Sequence, residues 1–122
     1  MKTTINIMLA DDDEDDHFIF KMALKELSQS TKLVSIYDGE ALMHHLSENL
    51  NDNPDVIFLD IHMPGKNGSE CLKEIKHNKY LNNIPIVMYS TTITKDSFEL
   101  FYKNDDFYCI CKPTDTKKLI KF

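Results

Sequence analysis

Five short apolar runs punctuate the chain, and between them apolar residues recur at the spacing of a helix face. Residues 5–10 (INIMLA) form the first run, continuous and partly β-branched, which predicts a strand buried on both faces. Residues 33–37, 56–59 (VIFL), 86–89 and 107–111 predict four more strands, the fourth introduced by Pro85 and the fifth stopped by Pro113. After the first strand, Phe18, Ile19, Met22, Ala23 and Leu27 mark a helix. Ala41, Leu42, His45, Leu46 and Asn49 or Leu50 mark a second, following a turn at Asp38-Gly39. Cys71, Leu72 and Ile75 carry a third beyond a loop at 64–68. Phe98, Phe101 and Tyr102 suggest a fourth, and residues 114–122 begin a fifth.

Five strand–helix units with continuous apolar strands predict an α/β fold, a five-stranded parallel sheet with helices on both faces. Right-handed crossovers make that sheet doubly wound. No Pro/Gly/Ser-rich linker, repeat or low-complexity run divides the chain beyond one acidic cluster, so residues 1–122 are read as a single domain. In this architecture function sits outside the carboxyl ends of the strands. The first strand ends in Asp11-Asp12-Asp13-Glu14, the third in Asp60, the fourth in Ser90-Thr91-Thr92 and the fifth in Lys112-Pro113. The second ends in Tyr37-Asp38-Gly39, an ordinary turn.

Each piece alone has a bland explanation. An acidic run suits the first turn of a helix, and a strand-end Asp suits an N-cap. Their joint placement on one rim departs from it. Asp11, Asp12 and Asp60 bring three negative charges there against the one positive charge of Lys112. Uncompensated carboxylates a few Å apart repel, and one takes up a proton unless a cation relieves them. Oxygen donors without a His or Cys cluster suit Mg²⁺, or Mn²⁺ in its place, rather than zinc. A calcium loop of the EF-hand kind starting at Asp11 fails, because Asp16 stands where Gly is needed and Met22 where Glu is needed. No GxGxxG follows the first strand, so a dinucleotide site is unsupported.

Composition narrows the partners. The net charge of −6 disfavours non-specific binding to nucleic acid or an anionic membrane. No apolar run is long enough to span a membrane, and the N-terminus does not read as a signal peptide. Cys71, Cys109 and Cys111 are therefore expected to be reduced thiols in a cytoplasmic protein, and the sequon at Asn67 to be a turn.

The acidic pair Asp11-Asp12, the stretch from Asp60 through Met63-Pro64 to Gly68, Ser90, and Lys112-Pro113 together resemble the receiver domain of two-component response regulators. The D-x-x-M-P-x-x-x-G string at Asp60 is the most specific piece, and the four pieces in order cover nearly the whole chain. The resemblance, which extends to the chemotaxis receiver proteins, implies a flavodoxin-like sheet in the order 2-1-3-4-5. It implies that Asp60 accepts a phosphoryl group from a histidine kinase or phosphotransfer protein. It implies Mg²⁺ on Asp12, Asp60 and the backbone carbonyl of His62, with Asp11 acting through water. Lys112 and Ser90 would each hold a phosphoryl oxygen, His62 and Thr92 would tune water attack, and the Lys112-Pro113 bond would be cis. The domain would catalyse only its own phosphorylation and dephosphorylation. Output would pass by protein contacts to a downstream partner, through the face of the fourth helix, fifth strand and fifth helix.

One departure stands out. Receivers usually carry an aromatic residue three positions before the strand-five Lys, where this chain has Cys109. Phe107 and Tyr108 are near but out of phase, which puts the usual aromatic switch in doubt. Two other functions compete. A pseudo-receiver would bind protein without accepting phosphate, but every chemical residue is present. A metal-dependent phosphohydrolase would need an Asp where His62 stands, and a cap domain. The short fifth helix leaves open whether the domain stands alone or is excised from a longer regulator.

Overall fold

The computed structural model describes residues 3–90 and 107–112. Within them the chain forms β1 (Thr4–Ala10), α1 (Glu14–Lys25), β2 (Ser30–Ile36), α2 (Gly39–Glu48), β3 (Val56–Leu59), α3 (Gly68–Lys76), β4 (Ile86–Ser90) and β5 (Phe107–Cys111). The strands form one parallel sheet in the order β2-β1-β3-β4-β5. That is the predicted α/β order, with its reversal between β1 and β3. The fourth and fifth helices, Thr92 and Pro113 with its expected cis bond lie outside the described residues.

Strand alternation divides the core in two. Ile7, Leu9, Phe58, Val87 and Tyr89 point to the α1 side, where they meet Phe20 and Ala23. Met8, Ala10, Ile57, Leu59, Ile86 and Met88 point to the other side, against Leu42 and Leu46 of α2 and Leu72 and Ile75 of α3. Both faces are covered, which is why the strands read as continuous apolar runs.

Three expectations need correction. Of the residues expected to mark the first helix, Ala23 is buried and Ile19 half-buried, but Phe18 and Met22 are exposed, Phe18 at 64%, and Leu27 lies beyond the end of α1. The buried stripe is His17, Phe20 and Ala23. His17 is polar but buried, so the apolar count missed the stripe it belongs to. The second strand begins at Ser30 and ends at Ile36, where residues 33–37 were expected. It is an edge strand, and backbone pairing of Ser30 with Thr4 extends it through polar residues that carry no apolar signal. The turn at Asp38-Gly39 is a helix start: Asp38 caps α2, its Oδ1 accepting from Ala41 N at 2.7 Å.

Candidate functional site

The backbone ladder itself gathers the strand ends. Asp11 N donates to Ile36 O at 3.0 Å, Asp60 N to Ala10 O at 2.9 Å, and Lys112 N to Ser90 O at 2.8 Å. Each bond carries the pairing one residue past its strand, so Asp11, Asp60, Ser90 and Lys112 share one rim.

The loop after Asp60 is fixed by packing. Met63 is buried in the core between the sheet and α2/α3. Gly68 N donates to Ile61 O at 3.0 Å, and a Cβ on Gly68 would stand 2.1 Å from the Asp60 carbonyl oxygen. That close approach explains the glycine of the D-x-x-M-P-x-x-x-G string. Asn67 caps α3 in a reciprocal box with Glu70, a more definite role than the turn expected for the sequon. Asp60 is no helix cap: α3 starts eight residues later in the chain, and the nearest local contact of Asp60 is His62 N on Oδ1 at 3.3 Å.

Asp11, Asp12 and Asp60 each offer a carboxylate oxygen, and these oxygens lie within 4.8 Å of one another. Asp11 is fully buried, Asp60 nearly so, and Asp12 exposed. Asp13 is the N-cap of α1, accepting from Asp15 N at 2.8 Å. That leaves Asp11-Asp12 as the rim pair. Lys112 reaches across from β5, its side chain 6% exposed. Its Nζ lies 2.7 Å from Asp11 Oδ2, 2.7 Å from Asp16 Oδ2 and 3.3 Å from Asp60 Oδ2. The contacts with Asp16 and Asp60 are aligned as hydrogen bonds, whereas that with Asp11 is an ion pair without such alignment.

These charges are poorly compensated. Burial pushes the Asp11 carboxyl up to about 6, against the pull of Lys112 and of Asp13 N. Burial also raises Asp60 above the usual carboxylate range, again opposed by Lys112. For Lys112 burial works against the charge, but Asp11 and Asp16 outweigh it and hold the ammonium above its ordinary pKa. A crowded all-oxygen cluster, in which Asp11 and Asp60 are buried and raised in pKa, fits a hard divalent cation.

The remaining rim residues are placed unevenly. Ser90 is fully buried and its Oγ has no hydrogen-bond partner among the described residues. His62 is exposed at the mouth. Cys109 pairs with Met88 across β4 and β5, and its side chain lies outside the described residues.

Sequence reading missed three participants. Asp16, in the first turn of α1, is one of the three carboxylates on Lys112. Its signal was a place one helical turn beyond Asp12, but five other acidic residues crowd the same stretch. His17 is buried, its Nε2 donates to the Asp11 carbonyl at 2.7 Å, and its ring lies 4.3 Å from that of Tyr37. A carbonyl only accepts, so the proton is on Nε2. Tyr89 is fully buried beside Phe20 and Phe58, and the Lys112 ammonium sits 5.7 Å from the centre of its ring.

Known proteins share this architecture. The family profile of the response regulator receiver domain matches residues 7–122. The chain is 30% identical over 119 residues to response regulator Rcp1 of a Synechocystis species, covering 94% of this chain and 81% of that protein. It is 29% identical to chemotaxis protein CheV1 of Helicobacter pylori, of which it spans 36% while 94% of this chain is covered. Among solved structures it is similar to the phosphorylated cyanobacterial phytochrome response regulator RcpA, with a TM-score of 0.85 and 31% identity, covering 97% of this chain and 87% of that one. The Mn²⁺-bound form of Rcp1 gives a TM-score of 0.84 at 31% identity, covering 96% and 87%.

Proposed function

The chain belongs to the response regulator receiver family, and from that membership we propose that Asp60 is its phosphoacceptor. It is a receiver domain of two-component signalling, a signalling module rather than a conventional enzyme. The observation that carries the assignment to Asp60 is the convergence on its carboxylate of Lys112, Asp11 and Asp12, with Ser90 on the same rim. An Asp60 oxygen attacks the phosphorus of a phosphohistidine on the partner kinase or phosphotransfer protein. The P–O bond forms, the P–N bond breaks, and the imidazole leaves with a proton. Lys112 meets one phosphoryl oxygen as a point charge, and Ser90 Oγ donates to another. Beyond this transfer and its hydrolytic reversal the domain catalyses nothing.

Mg²⁺, or Mn²⁺ in its place, would neutralise charge developing on the phosphoryl oxygens when bound. Asp12, Asp60 and the His62 carbonyl are its proposed direct ligands, and Asp11 acts through water. The exposure of Asp12 suits a direct ligand, and the engagement of Asp11 by Asp13 N and Lys112 suits an outer one. Intact mass after incubation with acetyl phosphate and Mg²⁺ tests the reading: a single phosphoryl adduct supports it, and a folded chain that takes none overturns it.

Protons compete with the metal. Burial pushes the Asp11 carboxyl up to about 6 and that of Asp60 above the usual carboxylate range, so protons compete with the metal more strongly as pH falls. Saturating Mg²⁺ is expected to raise Tm by about 10 °C near pH 8 at roughly a hundredfold its Kd. The same concentration near pH 5 is expected to give less than half of that. Thermal melts across pH check it, and a shift independent of pH would count against these ligands.

His62 and Thr92 are proposed to tune phosphoryl lifetime. The exposed imidazole beside Asp60 limits the approach of water, so His62→Ala is expected to shorten the lifetime about 2- to 5-fold. Decay of radiolabelled phosphoprotein measures it, and equal lifetimes remove His62 from the role. Residues 1–122 are read as one domain, which the profile match over 7–122 supports. Among the described residues no helix is long and apolar enough to cross a membrane. Cys71 is buried and free, its thiol pushed up to about 11 by burial, which suits an inert thiol in the cytoplasm. Output to a downstream protein partner, with no nucleic-acid or membrane surface, completes the proposal. With Cys109 at the switch position it proceeds without the usual aromatic.

A further inference from the structure

We propose that Asp16 is a positioning residue that holds the Lys112 ammonium in competition with the incoming phosphoryl group, and so sets how tightly the site takes that group. The inference rests on the reading of Asp60 as phosphoacceptor and deepens it. An ammonium has three donors, and here three carboxylates surround it. Asp11 and Asp16 are at 2.7 Å and Asp60 at 3.3 Å, so the acceptor that must carry the phosphoryl group is held least closely. Of the three, Asp16 and Asp60 take aligned hydrogen bonds from Lys112, so a phosphoryl oxygen on Asp60 competes with Asp16 for the ammonium. Asp11 is fully buried, and its other oxygen already accepts from Asp13 N at 2.9 Å. Asp16 lies in the first turn of α1 with 18% of its side chain exposed, so water can solvate its carboxylate when Lys112 leaves. Of the two closer partners, Asp16 is therefore the one that costs less to release. Its negative charge also opposes the anionic phosphoryl group, so both effects have the same sign.

The test is titration with beryllofluoride, a stand-in for the phosphoryl group, at saturating Mg²⁺, followed by calorimetry. Asp16→Asn is expected to bind it about 3- to 10-fold more tightly than wild type. Asp15→Asn removes the same charge from the same helical turn at an exposed position, and is expected to stay within about twofold. Asp16→Glu restores the charge and is expected to return to within about twofold of wild type. If Asp16→Asn binds no more tightly than Asp15→Asn, or more weakly than wild type, the proposal is overturned. A merely structural Asp16 would lower Tm while leaving the affinity ratio of the two Asn variants at one, which also overturns it. A wild-type protein that binds no beryllofluoride refutes the phosphoacceptor reading itself, an outcome distinct from equal binding by the variants.

Discussion

Asp60→Asn is expected to lose the phosphoryl adduct altogether, by about a thousandfold or more in initial rate with acetyl phosphate and Mg²⁺. The amide is nearly isosteric, but its oxygen carries no charge and is a poor nucleophile. Ser90 is no substitute, because a serine hydroxyl is a weak nucleophile unless an adjacent base activates it. The variant should still fold. Burial raises the Asp60 pKa, so the native state disfavours its ionised form. A carboxyl raised in this way contributes its stability below its unfolded pKa and loses it as pH rises through the folded value. At neutral pH the wild type therefore bears a cost that Asn does not, and without metal the variant should melt at or above the wild-type temperature. Intact mass and a thermal melt on the same sample check both halves. An adduct that persists on a folded Asp60→Asn places the phosphoacceptor elsewhere.

What was legible in the sequence follows from where single residues are decisive. Asp60, Asp11, Ser90 and Lys112 each follow the last apolar residue of a buried strand, and parallel pairing forces such positions onto one rim. Finding the strands was enough to find the rim. Gly68 and Met63 were legible as motif letters, but their reasons were not: one is a backbone contact with Asp60 and the other an anchor in the core. Apolar periodicity carries no signal for polar residues that are buried. His17 fills the inward stripe of α1 that Phe18 and Met22 were expected to fill. Asp16 was lost for a related reason. Four acidic residues run from Glu14 back to Asp11 and two more follow, and composition cannot distinguish the one that faces Lys112 from those that cap or face water. The Asp13 cap and the bond from His17 to the Asp11 carbonyl tie down that turn of α1.

Lys112→Met is expected to destabilise the metal-free protein by about 3–5 kcal/mol at neutral pH, a fall of roughly 10–15 °C in Tm. Methionine keeps much of the stem and loses the charge. Asp11, fully buried, and Asp60 and Asp16 then lose the ammonium they share. The cost is that of stranded carboxylates, which fixes its pH dependence. Lys112 draws the Asp11 and Asp60 pKa values down against burial, so removing it raises both further. Stability from a carboxyl with a raised folded pKa is present below its unfolded value and lost as pH rises through the folded one. The deficit of Lys112→Met is therefore expected to be small near about pH 4, where the carboxyls are protonated, and largest near about pH 8. The titration of Lys112 itself does not intrude: its folded pKa is raised above 10.5, and its own contribution is lost only above that value. Mg²⁺ should recover part of the deficit at the higher pH, since a cation on Asp11, Asp12 and Asp60 replaces some of the missing charge. Denaturant melts at both pH values, with and without Mg²⁺, measure all of this. A deficit that is constant across pH, or larger in acid, would mean that Lys112 stabilises the rim by packing, with its charge immaterial to the fold.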